Sequence, residues 1–289
     1  MQEHFRQAHS ENAPSDRWIK TVATYGGSRP GNHPIFMEAA RELGTELGKN
    51  NFDIVYGGGK TGIMSCIAES AYKAGALVTA VIPEFFVNGG HSTDYAQRVI
   101  IVPNMHIRKQ LFIALSQASI YAPGGSGTID EIGDVGVSND VMPYENPEGV
   151  LMPEIFLNML KPSGKKFYSP LQEWFYDSAV GCGFAAEERI ALKSFVDDVP
   201  GVIARLEMLN QQPPLIAKGL QSKHPEVQIN GLPVLATSKA ADGQTQQIFR
   251  YYPDKHTRKI FQEKYAHLPA FEKIINQEPA QLPLDFRAG

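Results

Sequence analysis

The chain has 289 residues, of which 43% are hydrophobic and 20% charged, with a formal net charge of −4. That length suits one large domain, or one domain with an appendage, around a substantial core. The acidic balance offers no basic field for nucleic acid. The two cysteines, Cys66 and Cys182, lack metal-ligand or disulfide-framework spacing, and no apolar run approaches the roughly 18 residues that span a bilayer.

Residues 1–17 are polar, without the apolar stretch of a signal peptide, and read as a mobile tail on a cytoplasmic protein. Ile19 to Tyr25 is a predicted strand that ends at Gly26-Gly27-Ser28. Phe36, Ala39, Ala40, Leu43 and Leu47 follow at helical spacing. Phe52 to Tyr56 is a second strand, ending at Gly57-Gly58-Gly59-Lys60-Thr61-Gly62. Its helix carries Ile63, Ile67, Ala71 and Ala74. Leu77–Ile82 and Arg98–Val102 are further strands, joined by a polar loop, and a helix from His106 to Gln117 leads to Ala118–Tyr121. Strands alternating with helices of this length predict βαβ units and a parallel sheet, in which ligands bind beyond the carboxyl ends of the strands.

The richest segment follows the fifth strand: Ala122-Pro123-Gly124-Gly125-Ser126-Gly127-Thr128-Ile129-Asp130-Glu131. Glycines allow a sharp strand-to-helix turn and close approach to a ligand, and the helix beyond presents unpaired N–H groups suited to a phosphate. A second reading stays open, because Thr128 and Glu131 have the spacing of a capping box that merely satisfies the helix end. Arg108 is open in the same way, as a site residue or as a helix-face arginine in water. Loops 26–28, 57–62 and 123–128 reach one sheet edge, and one cleft lined by all three is the economical arrangement.

Two partial motifs are set aside. Gly57 to Gly62 satisfies GxGxxG, but on the second strand and with only Glu84, just after Pro83, as a ribose-binding acid. A Walker A reading lacks its first glycine, since Ile54 occupies that place. His33, His91 and His106 read as surface or capping residues, and Cys66 as a small hydrophobe.

The stretch 133–150, with Gly133, Gly136, Asp140, Pro143, Asn146, Pro147 and Gly149, reads as a loop or insertion. Glu154–Met159 resumes as a strand, Ser169–Val180 as a helix, Phe195–Val196 as a short strand and Val202–Leu209 as a closing helix. Beyond residue 212, Leu232–Ser238 and Gln246–Tyr252 pair as a hairpin around Asp242-Gly243, and 254–276 reads as helix interrupted at Pro269. This extension is expected to pack outside the sheet.

From about residue 18 to 210 the chain resembles the LOG family, the cytokinin-activating nucleoside 5′-monophosphate phosphoribohydrolases that are often labelled lysine decarboxylases. The resemblance rests on Pro123 to Thr128 with Glu131, on Met105-His106-Ile107-Arg108-Lys109, and on Val55 to Gly59 with Gly62 and Met64. Tyr25 to Ser28, Phe156-Leu157-Asn158 and Asp197-Asp198 add to it. It implies a Rossmann-like, doubly wound α/β fold with a parallel sheet and helices on both faces. The catalytic domain would span 18–212, with 213–289 as a C-terminal extension.

The implied reaction is hydrolysis of the N-glycosidic bond of a nucleoside 5′-monophosphate, without metal or organic cofactor, in a homodimer or higher homo-oligomer. By position Arg108 and Glu131 match the catalytic pair. Gly26, Ser28, Gly58, Gly59, Lys109, Gly124, Gly125, Ser126, Gly127 and Thr128 would bind phosphate or substrate. The chain departs from the family pattern at Gly133-Asp134-Val135-Gly136, beside the base, so base preference stays open. The alternative is a non-catalytic protein of the same fold that binds a nucleotide or a phosphorylated cofactor.

Overall fold

The computed structural model describes residues 17–89, 93–145, 149–217, 234–239 and 243–250. Strands β1 (Thr21–Tyr25), β2 (Asp53–Tyr56), β3 (Val78–Pro83) and β4 (Arg98–Val102) are linked by helices α1 (Pro34–Lys49), α2 (Gly62–Lys73) and the short α3 (Glu84–Asn88). Helix α4 (Met105–Ala114) leads to β5 (Ala118–Tyr121), and α5 (Ser126–Glu145) to β6 (Glu154–Leu157). Helix α6 (Ser169–Glu173) continues as a π-helix over Trp174–Val180. Then come α7 (Glu187–Ile190), β7 (Lys193–Val196), α8 (Val199–Asn210), β8 (Val234–Lys239) and β9 (Thr245–Arg250). Among the described residues no helix is long and apolar enough to cross a membrane.

The strands form one sheet in the order β7-β6-β5-β1-β2-β3-β4-β9-β8. All neighbours pair in parallel except β8, which is antiparallel to β9 at the edge. The chain winds outward from β1 to β4, returns to the other side of β1 at β5, and winds outward again. The connections leaving β1 and β5 therefore diverge, which opens a crevice at the carboxyl ends of these neighbouring strands.

Alternation along each strand builds two cores. Val22, Ile54, Ile120, Ile155 and Leu157 face α1, α2 and α8, while Ala23, Tyr25, Val55, Tyr121 and Phe156 face α4 and α5. On the second face the register sets Tyr25 beside Tyr121, Tyr121 beside Phe156 and Phe156 beside Phe195. Their rings stack across four strands, with centroids 5.1, 4.8 and 4.5 Å apart. This ladder is the floor beneath α4 and α5.

Two expectations need correction. Residues 133–145 are not a loop, because α5 runs unbroken for 20 residues and holds Pro143 in its last turn. Ile132, Val135 and Asn139 recur on its buried face, and tertiary packing outweighs the weak helix propensity of Gly133, Asp134 and Gly136. Asn139 accepts from Met152 N at 2.8 Å and donates to Met152 O at 3.0 Å, fixing α5 to the approach of β6. Asn146 and Pro147 lie outside the described residues.

The C-terminal stretch, in turn, does not lie wholly outside the sheet. The hairpin β8–β9 forms, and β9 adds to β4 in parallel, with Arg98 opposite Gln247 and Ile101 opposite Arg250. Gln246 is buried there and donates to the carbonyls of Ala96 and Thr93 at 2.8 and 3.3 Å. Residues 1–16 of the 1–17 tail, His91, Asp242 and the helix expected over 254–276 lie outside the described residues.

Candidate active site

The three glycine loops meet at the crevice between β1 and β5. Gly27 N–H donates to Pro123 O at 3.0 Å, Ile63 N–H to Gly27 O at 2.8 Å, and Thr61 Oγ1 to Ser28 O at 3.2 Å. Close approach dictates glycine at 124, where a Cβ would overlap Thr128 Oγ1 and lie 2.9 Å from Gly27 N. Gly59, Gly125 and Gly127 have open space where a side chain would project, and Ser28, Gly125, Ser126 and Gly127 are exposed. Gly26 and Gly58 are buried beneath these loops, where they shape the turns and leave the lining to their neighbours.

Helix α5 starts at Ser126, so Thr128 sits inside the first turn instead of capping it, and the Thr128–Glu131 pair is not a capping box. The N–H groups of Thr128 and Ile129 already bond to Gly125 O, both at 3.1 Å. The preceding turn residues, Gly125 to Gly127, are exposed at the positive end of the helix.

Helix α4 starts where the Asn104 side chain accepts from Ile107 N at 3.0 Å. That start points Arg108 inward, where it is 7% exposed. Its guanidinium lies over the Phe112 ring at 5.3 Å, Nη1 is 3.4 Å from Met105 Sδ, and the buried Nε has no hydrogen-bond partner. Gly57 gives it room, because a Cβ there would overlap Nη2. Burial draws the Arg108 pKa down while Glu131 and Tyr25 oppose.

Glu131 projects from the first turns of α5 into the same region and is also 7% exposed. Burial pushes its carboxyl up to about 7, with Arg108 opposing and Asp130 and Asp134 adding to the rise. Among the described residues the two groups form no direct ion pair, so each keeps hydrogen-bonding capacity for a third partner. Two residues that the sequence did not single out as site residues are coupled electrostatically to Glu131. Tyr25 and Tyr168 both have phenols held above the usual range by burial, with Glu131 adding. Tyr168 donates from its hydroxyl to Ala122 O at 2.7 Å, and so props the strand end before the glycine loop.

Lys109 points elsewhere. Its ammonium lies 3.1 Å from Asp130 and 2.6 Å from Asp134, between α4 and α5. His33 caps α1, Nδ1 accepting from Ile35 N at 3.3 Å, and His106 is exposed. Cys66 is half-buried with Sγ 3.6 Å from Met37 O, and burial pushes its thiol up. A groove of about 850 Å³ beside Arg41, Lys60, Cys66 and Lys73 runs between α1 and α2 and includes neither Arg108 nor Glu131.

Glycine loops, a buried cation and a buried carboxylate at the carboxyl ends of a parallel sheet define a Rossmann-like α/β protein. The model of the family described as "Possible lysine decarboxylase" matches residues 64–206. Cytokinin riboside 5'-monophosphate phosphoribohydrolase LOG1 of Arabidopsis thaliana is 35% identical over 142 residues, covering 49% of this chain and 67% of its own. LOG5 of the same plant, with the same enzyme name, is 30% identical over 204 residues, covering 68% of this chain and 88% of its own. A solved molybdenum cofactor carrier protein from Chlamydomonas reinhardtii is 18% identical at a TM-score of 0.49, covering 67% of this chain and 99% of that one. The chain belongs to the LOG family, whose curated relatives are named as phosphoribohydrolases.

Proposed function

We propose that the protein hydrolyses the N-glycosidic bond of a nucleoside 5′-monophosphate, releasing the free base and ribose 5-phosphate. The observation that carries this reading is the burial of both Arg108 and Glu131, whose charges act on one another without a direct ion pair, beside three glycine loops that bond to one another. Family membership supports the same chemistry.

Cleavage of the C1′–N bond builds positive charge on the ribose. An ionised Glu131 opposes that charge and takes a proton from the attacking water as it bonds to C1′, while the bond electrons leave with the base. Its burial strengthens the interaction, because a low-dielectric setting screens it less. Arg108 is fixed between Gly57 and Phe112 and presents the remaining edge of its donor fork to the sugar or to Glu131. The exposed rim at Gly125, Ser126 and Gly127, with Ser28 and Gly59, receives the phosphate on backbone donors of α5. Thr128 and Gly124 hold the loop in that shape.

The protein works as a homodimer or higher homo-oligomer in this reading. Ile129, Val137, Val141 and Tyr144 are exposed along α5, an apolar stripe that a second copy would cover. Incubation with AMP, GMP, CMP, UMP and isopentenyladenosine monophosphate, followed by chromatography for free base, tests the activity. Base release from at least one is expected. Tight binding with every nucleotide recovered intact would replace the enzyme with a nucleotide carrier.

A further inference from the structure

Arg108 and Glu131 each have a charged neighbour in sequence, and these neighbours meet outside the crevice. Adjacent helical residues diverge by about 100°, so Arg108 and Glu131 turn inward while Lys109 and Asp130 turn to the seam between α4 and α5. Asp130 and Asp134 are four apart and share one face of α5. Both reach the Lys109 ammonium, at 3.1 and 2.6 Å. The Lys109 side chain is only 21% exposed. Burial draws its pKa down, yet Asp134 and Asp130 outweigh that and hold it above the usual lysine range.

We propose that Lys109 is a positioning residue, clamped by Asp130 and Asp134, which fixes α4 against α5 and thereby the spacing and charge environment of Arg108 and Glu131. This rests on reading Arg108 and Glu131 as the catalytic pair. One cation shared by two carboxylates on successive turns ties down both helices, unlike a single exposed pair. Its balance of charge also reaches Glu131. The charged and titratable groups facing Glu131 are Arg108 and Lys109 from α4, Asp130 and Asp134 from α5, Tyr25 from β1, and Tyr168 ahead of α6. Removing Lys109 takes away a cation and frees two carboxylates, which favours protonated Glu131. Removing the Asp134 charge does the opposite. A lysine that binds phosphate directly would instead act on substrate affinity.

The test uses the full chain and three variants, Lys109→Met, Lys109→Arg and Asp134→Asn, with the Glu131 carboxyl titrated by carbon NMR and assigned by its loss in Glu131→Gln. Lys109→Met should move that titration to higher pH, and Asp134→Asn to lower pH, each by about half a unit or more. With AMP, Lys109→Met should lower kcat about 10-fold or more and change KM less than about 3-fold, and Lys109→Arg should restore most of it. A roughly 10-fold rise in KM at unchanged kcat would overturn the proposal in favour of direct ligand binding. Titrations that stay put, or that move in the same direction in both variants, would overturn it as well. Asp134→Asn keeps the test open should Lys109→Met fail to fold. If the titrations move as expected but no nucleotide is cleaved, the clamp stands and the proposed hydrolase activity falls.

Discussion

The guanidinium of Arg108 lies across the backbone of Gly57, its Cζ 3.0 Å from the place where a Cβ would project. The end of β2 and the first turns of α4 thus define each other, and a glycine in one loop is explained by a side chain from another element. Substituting Gly57→Ala should displace Arg108 while the sheet below stays intact. A fall in kcat/KM of about 100-fold, with unchanged far-ultraviolet dichroism, is the expected result. Full activity in the folded variant would show that Arg108 does not need this seat.

Glu131→Gln separates activity from stability. The amide keeps the shape but loses the charge that opposes the developing cation, so turnover should fall by at least about 1000-fold while AMP still binds. The carboxyl is raised from 4.5 to about 7, so the folded state holds its proton more tightly than the unfolded chain does. Stability from this group is present below pH 4.5 and is lost as pH rises through about 7. The variant should therefore melt higher than the parent at pH 8, by on the order of 1 to 3 kcal/mol, and no higher at pH 4. Thermal melts at the two pH values decide this.

The proposed role of the same carboxyl predicts a pH dependence for the parent protein. In the proposed mechanism the ionised form is the active one, so kcat/KM should rise about tenfold per pH unit below the titration and level off above about 7. A rate profile flat from pH 5 to 8 would place the essential carboxylate elsewhere.

Beneath the middle of α5, at Gly136, Lys193 bonds to Glu154, and both are almost fully buried. The Tyr121 hydroxyl donates to the other Glu154 oxygen at 3.3 Å, and the Lys193 ammonium lies 4.7 Å from the centre of the Phe175 ring. Lys193→Met should cost about 3 to 5 kcal/mol at neutral pH, because it leaves a buried carboxylate uncompensated. Adding Glu154→Gln should recover much of the loss. Chemical denaturation of the single and double variants measures both.

Removing residues 213–289 uncovers the edge of β4 that β9 now pairs. An unpaired parallel edge invites association between copies. The truncated chain should aggregate at lower concentration than the parent, with specific activity of the folded fraction within about twofold, since the site lies at β1 and β5. Light scattering and turnover on the same sample check the two halves of this expectation.

The strands and helices up to β5 were legible in the sequence, except the short α3, which read as a polar loop, because alternation and helical spacing are local consequences of burying one face. The glycine loops were legible for a similar reason, since a sharp turn after an apolar strand restricts the residues that fit. Arg108 and Glu131 were reached by motif, and their burial on one side of the crevice followed only from the winding of the sheet about β1. The sequence alone could not show that α5 continues through Gly133, Gly136 and Pro143. There the local signals favour a break, and contacts with Met152 and the strand ladder outweigh them. Nor could it place Lys109 against Asp130 and Asp134, or β9 against β4, residues far apart in the chain. Periodicity reports which face of an element is buried, and only the packed structure decides what it is buried against.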